Sequence, residues 1–107
     1  MVASPWVPDA SLCSDGERVD APFLWSALDC PGAIVAMDGR PRPILLARIT
    51  AELAGPVRRG ERCVVVGWRI DRSGRKHTSG TALYGEDGRL RGVSEQLWIE
   101  PRPAAAA

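Results

Sequence analysis

The spacing of apolar positions changes once along the chain, near residue 44, from a helical period to a strand period. Phe23, Ala27, Leu28, Ile34 and Val35 recur at helical spacing and predict a helix from about Pro22 to Met37. Asp20 or a neighbour is placed to cap it, and proline suits a first turn, where its missing N–H is not needed. Pro31 removes a backbone bond, so a kink or break is expected at Cys30-Pro31-Gly32, with a continuation to Met37. Asp38-Gly39-Arg40-Pro41-Arg42-Pro43 reads as a loop. Four strand-like runs follow: Ile44–Leu53, Arg62–Ile70, Lys76–Tyr84 and Leu90–Glu100. Asp71–Gly74 and Gly85–Gly88 are turn sequences, so the last three runs form an antiparallel meander. Val64, Val66, Trp68 and Ile70 share one face of their run, and Val93, Leu97 and Ile99 one face of theirs. A meander of four such strands has one apolar face, which the helix is expected to cover.

Residues 1–19 read as an irregular lead-in, with Ala3–Val7 a proline-bearing stub of an edge strand. Residues 20–100 form the folded α+β domain, and 101–107 a disordered tail. A length of 107 residues fits one domain with a thin core. A formal net charge of +1 and scattered basic residues give no field for nucleic acid. No apolar run is long enough to span a membrane, and no secretory leader is read at the N-terminus. Cys13, Cys30 and Cys63 are odd in number and far apart, and His77 is the sole histidine. Neither a disulfide framework nor a metal site is expected, and the reducing cytoplasm is the expected location.

The chemistry concentrates on the helix. Between Pro22 and Met37 the only charge is Asp29, whereas a surface helix carries a charged side. The helix is therefore expected to be covered nearly all round, either by a sheet that wraps it or by a second subunit. A carboxylate in that setting is desolvated and suited to act as base or nucleophile; its structural alternative is to hydrogen-bond the kink at Pro31. Ser26 lies three residues earlier on nearly the same face, placed to orient the carboxylate or to bond a local carbonyl. Cys30 adjoins Asp29 but reads as a small hydrophobe, and His77 as a surface residue at a strand start. Trp25, Trp68 and Trp98 read as core or interface residues.

Residues 20–100 resemble a hotdog-fold domain of the acyl-CoA thioesterase branch: one central helix packed on a curved antiparallel sheet of four to five strands. In that branch a His-Gly-Gly turn opens the helix and an acidic residue follows nine positions after the histidine. Here Asp20-Ala21-Pro22 occupies the turn and Asp29 the acidic position. Trp25-Ser26-Ala27-Leu28-Asp29-Cys30-Pro31-Gly32 is similar to a poorly characterised actinobacterial subgroup. Two features depart from the pattern: the His-Gly-Gly is missing, and the first strand is short.

The resemblance implies hydrolysis or binding of an acyl-CoA thioester at a subunit interface, with coenzyme A entering as substrate or ligand and no resident cofactor. Asp29 would attack the carbonyl or activate water, assisted by Ser26. Amides of Ala21 or Phe23 would hold the oxyanion, with Trp25 lining the substrate site. Arg69, Arg72, Arg75 and Lys76, around one hairpin turn, would meet the coenzyme A phosphates; their plainer role is a solvated tip. The alternative function is a non-catalytic hotdog module that binds an acyl group or dimerises. A dehydratase-type hotdog would need a histidine near the helix start, which this chain lacks. The expected assembly is a homodimer or larger, formed where the short first strand leaves the edge beside Arg62–Ile70 open.

Overall fold

A computed structural model of the chain describes residues 1–102. One helix, α1 (Ala21–Met37), lies across a five-stranded antiparallel sheet: β1 (Val2–Trp6), β2 (Leu45–Leu53), β3 (Cys63–Ser73), β4 (Lys76–Tyr84) and β5 (Leu90–Ile99). The last five residues of the expected tail, 103–107, lie outside the described residues.

The spatial order is β1-β3-β4-β5-β2. β3, β4 and β5 form the expected meander. β2 does not extend it in sequence order; it crosses to the far side and pairs with β5, Leu45 opposite Ile99 and Leu53 opposite Gly92. The short first strand is real and closes the edge that was expected to be open, pairing Val2–Trp6 with Gly67–Cys63. The free edges are therefore β1 and β2. Pro5 sits on the β1 edge, where a missing N–H discourages further pairing; β2 is nine residues long and carries no proline.

α1 runs through Pro31 as one helix. Asp20 occupies the N-cap position without capping: its carboxylate accepts from the Ser14 amide and hydroxyl instead. Leu24 and Leu28 point down onto Val57, Cys63, Val65 and Leu83, which with Val19 and Cys13 form the apolar core under the first half of the helix.

The face of the sheet turned to the helix is not the expected one. Cys63, Val65 and Gly67 of β3 face α1, while Val64, Val66, Trp68 and Ile70 face away. On β4 and β5 the buried, helix-facing positions are largely polar: His77, Ser79, Thr81, Ser94 and Gln96. These side chains are tolerated because most find partners on the helix backbone or on one another. Ser79 donates to the Gly32 carbonyl at 3.2 Å, and Thr81 and Ser94 share a hydroxyl bond. Gln96 Nε2 donates to the Leu28 carbonyl at 2.8 Å and to Ser94 at 2.9 Å, and its Oε1 accepts from Trp98 Nε1 at 2.8 Å.

Such short bonds from strand to helix need the backbones close together. Gly32 and Gly67 provide this, since a Cβ at Gly32 would overlap the Gln96 carboxamide and one at Gly67 would meet Pro31 at 3.0 Å. Gly32→Ala gains helix propensity but must displace a carboxamide fixed by three bonds. We expect a net loss of about 1–2 kcal/mol in urea denaturation. A variant as stable as the wild type would show that the Gln96 side chain is free to move.

Candidate functional site

Three kinds of side chain meet on α1. At 3.6 residues per turn, Pro31 faces β3, as its contact distance to Gly67 shows, and Leu28 and Gly32 face β5. Continuing round, Trp25 and Asp29 fall on the flank that overhangs β5 toward β2. Phe23, Ser26, Cys30 and Ile34 fall on the outward and opposite flank, toward β1.

Asp29 is half-buried, and its Oδ1 is shut off from solvent without a hydrogen-bond partner among the described residues. Desolvation pushes its carboxyl above the usual carboxylate range. Neither the kink nor Ser26 satisfies it. Ser26 donates to the Pro22 carbonyl at 3.1 Å, the local back-bond open to a helical serine. Trp25 is about one-third exposed on the same flank as Asp29.

Below this flank lies the inner face of β2. By pairing register Leu46, Ile49, Ala51 and Leu53 share the side of Trp98, Gln96, Ser94 and Gly92, with Ala51 packed against the core and Leu53 beside Leu28 over Gly92. Leu46 and Leu53 remain exposed there. By helical position the carboxylate is on the flank of α1 turned toward this apolar ledge, at the free β2 edge of the sheet.

The other flank carries an apolar groove of about 360 Å³ between α1 and β1, lined chiefly by Trp6, Leu12, Phe23, Ala27, Ile34 and Val65. Ser26 and Cys30 stand at its edge. Sequence reasoning grouped Ser26 and Phe23 with Asp29; Ser26 instead bonds the Pro22 carbonyl, and both it and Phe23 line the groove, which Asp29 does not. The Phe23 amide donates to the Asp20 carbonyl at 3.0 Å, so it is not free for an oxyanion, and Pro22 has no amide. Ala21 keeps an amide that its own helix cannot satisfy.

Cys30 is exposed, contrary to its reading as a buried hydrophobe, while Cys13 and Cys63 are buried. Burial, reinforced by Glu61, pushes the Cys63 thiol up to about 11. A thiol reagent such as DTNB at pH 8 is therefore expected to titrate one cysteine in the native protein and three in denaturant. Cys30→Ser should remove the native signal; a native stoichiometry of two or three would contradict this packing.

The basic hairpin sits at the C-terminal end of α1. Arg69 donates to the Val35 carbonyl at 3.4 Å and approaches Asp38 at 3.6 Å, and Arg75 donates to the Glu100 carbonyl at 2.8 Å. Arg72 and Lys76 are exposed and take part in no ion pair among the described residues.

His77 is not a surface residue. It is 1% exposed, with Nε2 3.4 Å from Glu100. That carboxylate is bonded by Arg42 at 2.6 Å, chiefly through which its pKa lies below the usual value. Sequence reasoning missed this cluster because the three residues lie far apart along the chain. No group of His, Cys, Asp and Glu suited to a metal ion stands together among the described residues, and no described helix is long and apolar enough to cross a membrane.

No protein-family model matches the sequence, and no curated protein matches it. The fold, in contrast, recurs widely among solved structures. A thioesterase from Thermus thermophilus complexed with coenzyme A and zinc superposes with a TM-score of 0.82 at 11% identity, covering 99% of this chain and 88% of that one. A hexameric thioesterase from Yersinia pestis gives 0.83 at 13% identity over 96% and 88%. Zebra fish thioesterase superfamily member 2 gives 0.84 at 11% identity over 94% and 74%. The architecture is the hotdog fold that these thioesterase structures share.

Proposed function

We propose that this hotdog chain binds an acyl-CoA thioester at a boundary between two copies of itself and hydrolyses it with Asp29. The carrying observation is the unpartnered, desolvated carboxylate oxygen of Asp29 on the flank of an otherwise apolar helix. Such a group is costly in a finished fold unless a ligand, a water or a second chain completes its surroundings. A second copy pairing along β2 covers the ledge and closes the site over this flank. The superposable structures include one bound to coenzyme A and one that is hexameric, which supports both parts of the reading.

In this reading Asp29 activates a water for attack on the thioester carbonyl, and the coenzyme A thiolate leaves. The amide of Ala21 is the free donor at the helix start, assisted by the helix dipole. Arg72 and Lys76 are the cations available to the nucleotide phosphates. The cytoplasm, where acyl-CoA is met, is the proposed location.

A second reading rests on a separate observation. With Pro22 in the turn and the Phe23 amide occupied, the oxyanion site is thin, which favours a module that binds an acyl thioester without cleaving it. One experiment separates the two: a panel of acyl-CoA thioesters of increasing chain length, followed by both free-thiol release and calorimetric binding. Thiol release supports the hydrolase. Saturable binding without release supports the module, and neither signal across the panel rejects both. Light scattering at low micromolar concentration should return a dimer or larger; a lone folded monomer would remove the shared site.

A further inference from the structure

The Asp29 carboxylate has no hydrogen bond of its own to hold it. Its Oδ1 lacks a partner among the described residues, and Ser26, one turn earlier, is bonded to the Pro22 carbonyl. A base that must meet a water and a thioester carbonyl has to stand within about 0.5 Å of the productive place. With no bond to the carboxylate, that order must come from the backbone that carries it.

One side chain holds that backbone from below. Gln96 of β5 donates from Nε2 to the Leu28 carbonyl at 2.8 Å. This carbonyl belongs to the peptide unit joining Leu28 to Asp29. The unit is planar, so a bond at its oxygen also fixes the Asp29 Cα. The carboxamide is itself restricted to one orientation. Its Oε1 accepts from the Trp98 indole at 2.8 Å, a group that only donates, and its Nε2 faces a carbonyl that only accepts. A flip of the amide would break both bonds, and Nε2 donates to Ser94 as well. Gln96 is 0% exposed, so water does not compete for these bonds. The other bond from strand to helix has a different reach. Ser79 donates to the Gly32 carbonyl at 3.2 Å, a turn further along, in the peptide unit joining Gly32 to Ala33. It docks the helix without touching the Asp29 peptide.

We infer that Gln96 is the positioning residue for Asp29: through the Leu28 carbonyl it sets where the carboxylate stands. The inference rests on the role proposed for Asp29, yet it concerns the carboxyl itself and is read without turnover. Burial alone raises that carboxyl, so its titration reports how far the side chain is withdrawn from water. A residue that contributed only to stability would change the denaturation midpoint and leave this titration where it is.

The test follows the Asp29 carboxyl carbon by NMR across pH in the folded full chain. Gln96→Met keeps the length of the side chain and loses its hydrogen bonds. Its Asp29 midpoint is expected to fall from the raised wild-type position toward the ordinary carboxylate range. Gly32→Ala displaces the same carboxamide from the helix side and is expected to shift the midpoint in the same direction. It stays folded at the modest cost given above, so it carries the test if Gln96→Met does not fold. Ser79→Ala is expected to keep the wild-type midpoint. A Gln96→Met protein, or failing that a Gly32→Ala protein, that titrates as the wild type would overturn the inference, as would an equal shift in Ser79→Ala. In the thioester panel Gln96→Met should lose about tenfold in kcat with KM within about twofold, the pattern of a misplaced base rather than a lost binding contact. An unchanged kcat in an active series would overturn the inference too. Absence of thiol release from every protein would reject the hydrolase, and the NMR titration would then decide the role of Gln96 by itself.

Discussion

Asp29→Asn is expected to lower acyl-CoA hydrolysis about a hundredfold or more, the scale of a lost general base. The change keeps the shape of the side chain and removes its charge, so thioester binding should persist. The pH profile gives a second handle. Burial raises the pKa of the carboxyl, and the base works only when ionised, so turnover should rise with pH along a limb displaced above the ordinary carboxylate range.

The same shift has a stability consequence with a definite sign. A carboxyl whose pKa is raised on folding binds its proton more tightly in the native state. Its contribution is most favourable below the unfolded pKa and is lost as pH rises through the folded one. Asp29→Asn removes that loss, so the variant should be slower yet more stable than the wild type at neutral pH. Equal turnover in the two proteins would take Asp29 out of the reaction, and a less stable variant would mean the carboxylate has a partner in the assembled protein.

Gln96→Leu is expected to cost about 2–5 kcal/mol, the largest loss from a single side chain in the sheet. Gln96 is fully buried, and its amide answers the Leu28 carbonyl, the Ser94 hydroxyl and the Trp98 indole. Leucine nearly fills the volume but removes all three bonds, and although Ser94 keeps Thr81 the buried Trp98 indole loses its acceptor. Ser79→Ala, which breaks only the bond to the Gly32 carbonyl, should cost about 1 kcal/mol. Urea midpoints at constant slope measure both. A Gln96→Leu variant within about 0.5 kcal/mol of the wild type would show that the polar row is not what docks the helix.

The local features of this fold are legible in the sequence. Turn chemistry marks the ends of β3, β4 and β5 because it acts within a few residues, and the helix is bounded by Pro22 and by the loop after Met37. Two features are not local and do not show in the residue pattern. The pairing of β2 with β5 joins residues about 45 positions apart, and nothing within either strand states it. The facing of β3 is ambiguous because Cys63-Val64-Val65-Val66 is apolar on both sides of the pleat. The decision lies in β4 and β5, whose polar residues find acceptors on the helix.

Of the candidate site, Asp29 stands out as a single charge on an apolar helix. That Phe23 and Ser26 meet the groove beside β1 needs the orientation of the helix on the sheet, which Gly32, Gly67 and Gln96 fix. The burial of His77 beside Glu100, which Arg42 bonds, joins residues distant in the chain and so does not show in the residue pattern.

The helix is fastened at its middle. Asp20 leaves its first turn without a side-chain cap, while Leu28 and Gly32 are tied to β5 and β4 by their carbonyls. Its C-terminal end is held as well, by Arg69 at the Val35 carbonyl, so the uncapped first turn is the part left to fray. Asp29 lies between the two tied carbonyls, so the start of the helix, where a thioester would enter, can give way to an incoming molecule while the carboxylate holds its place.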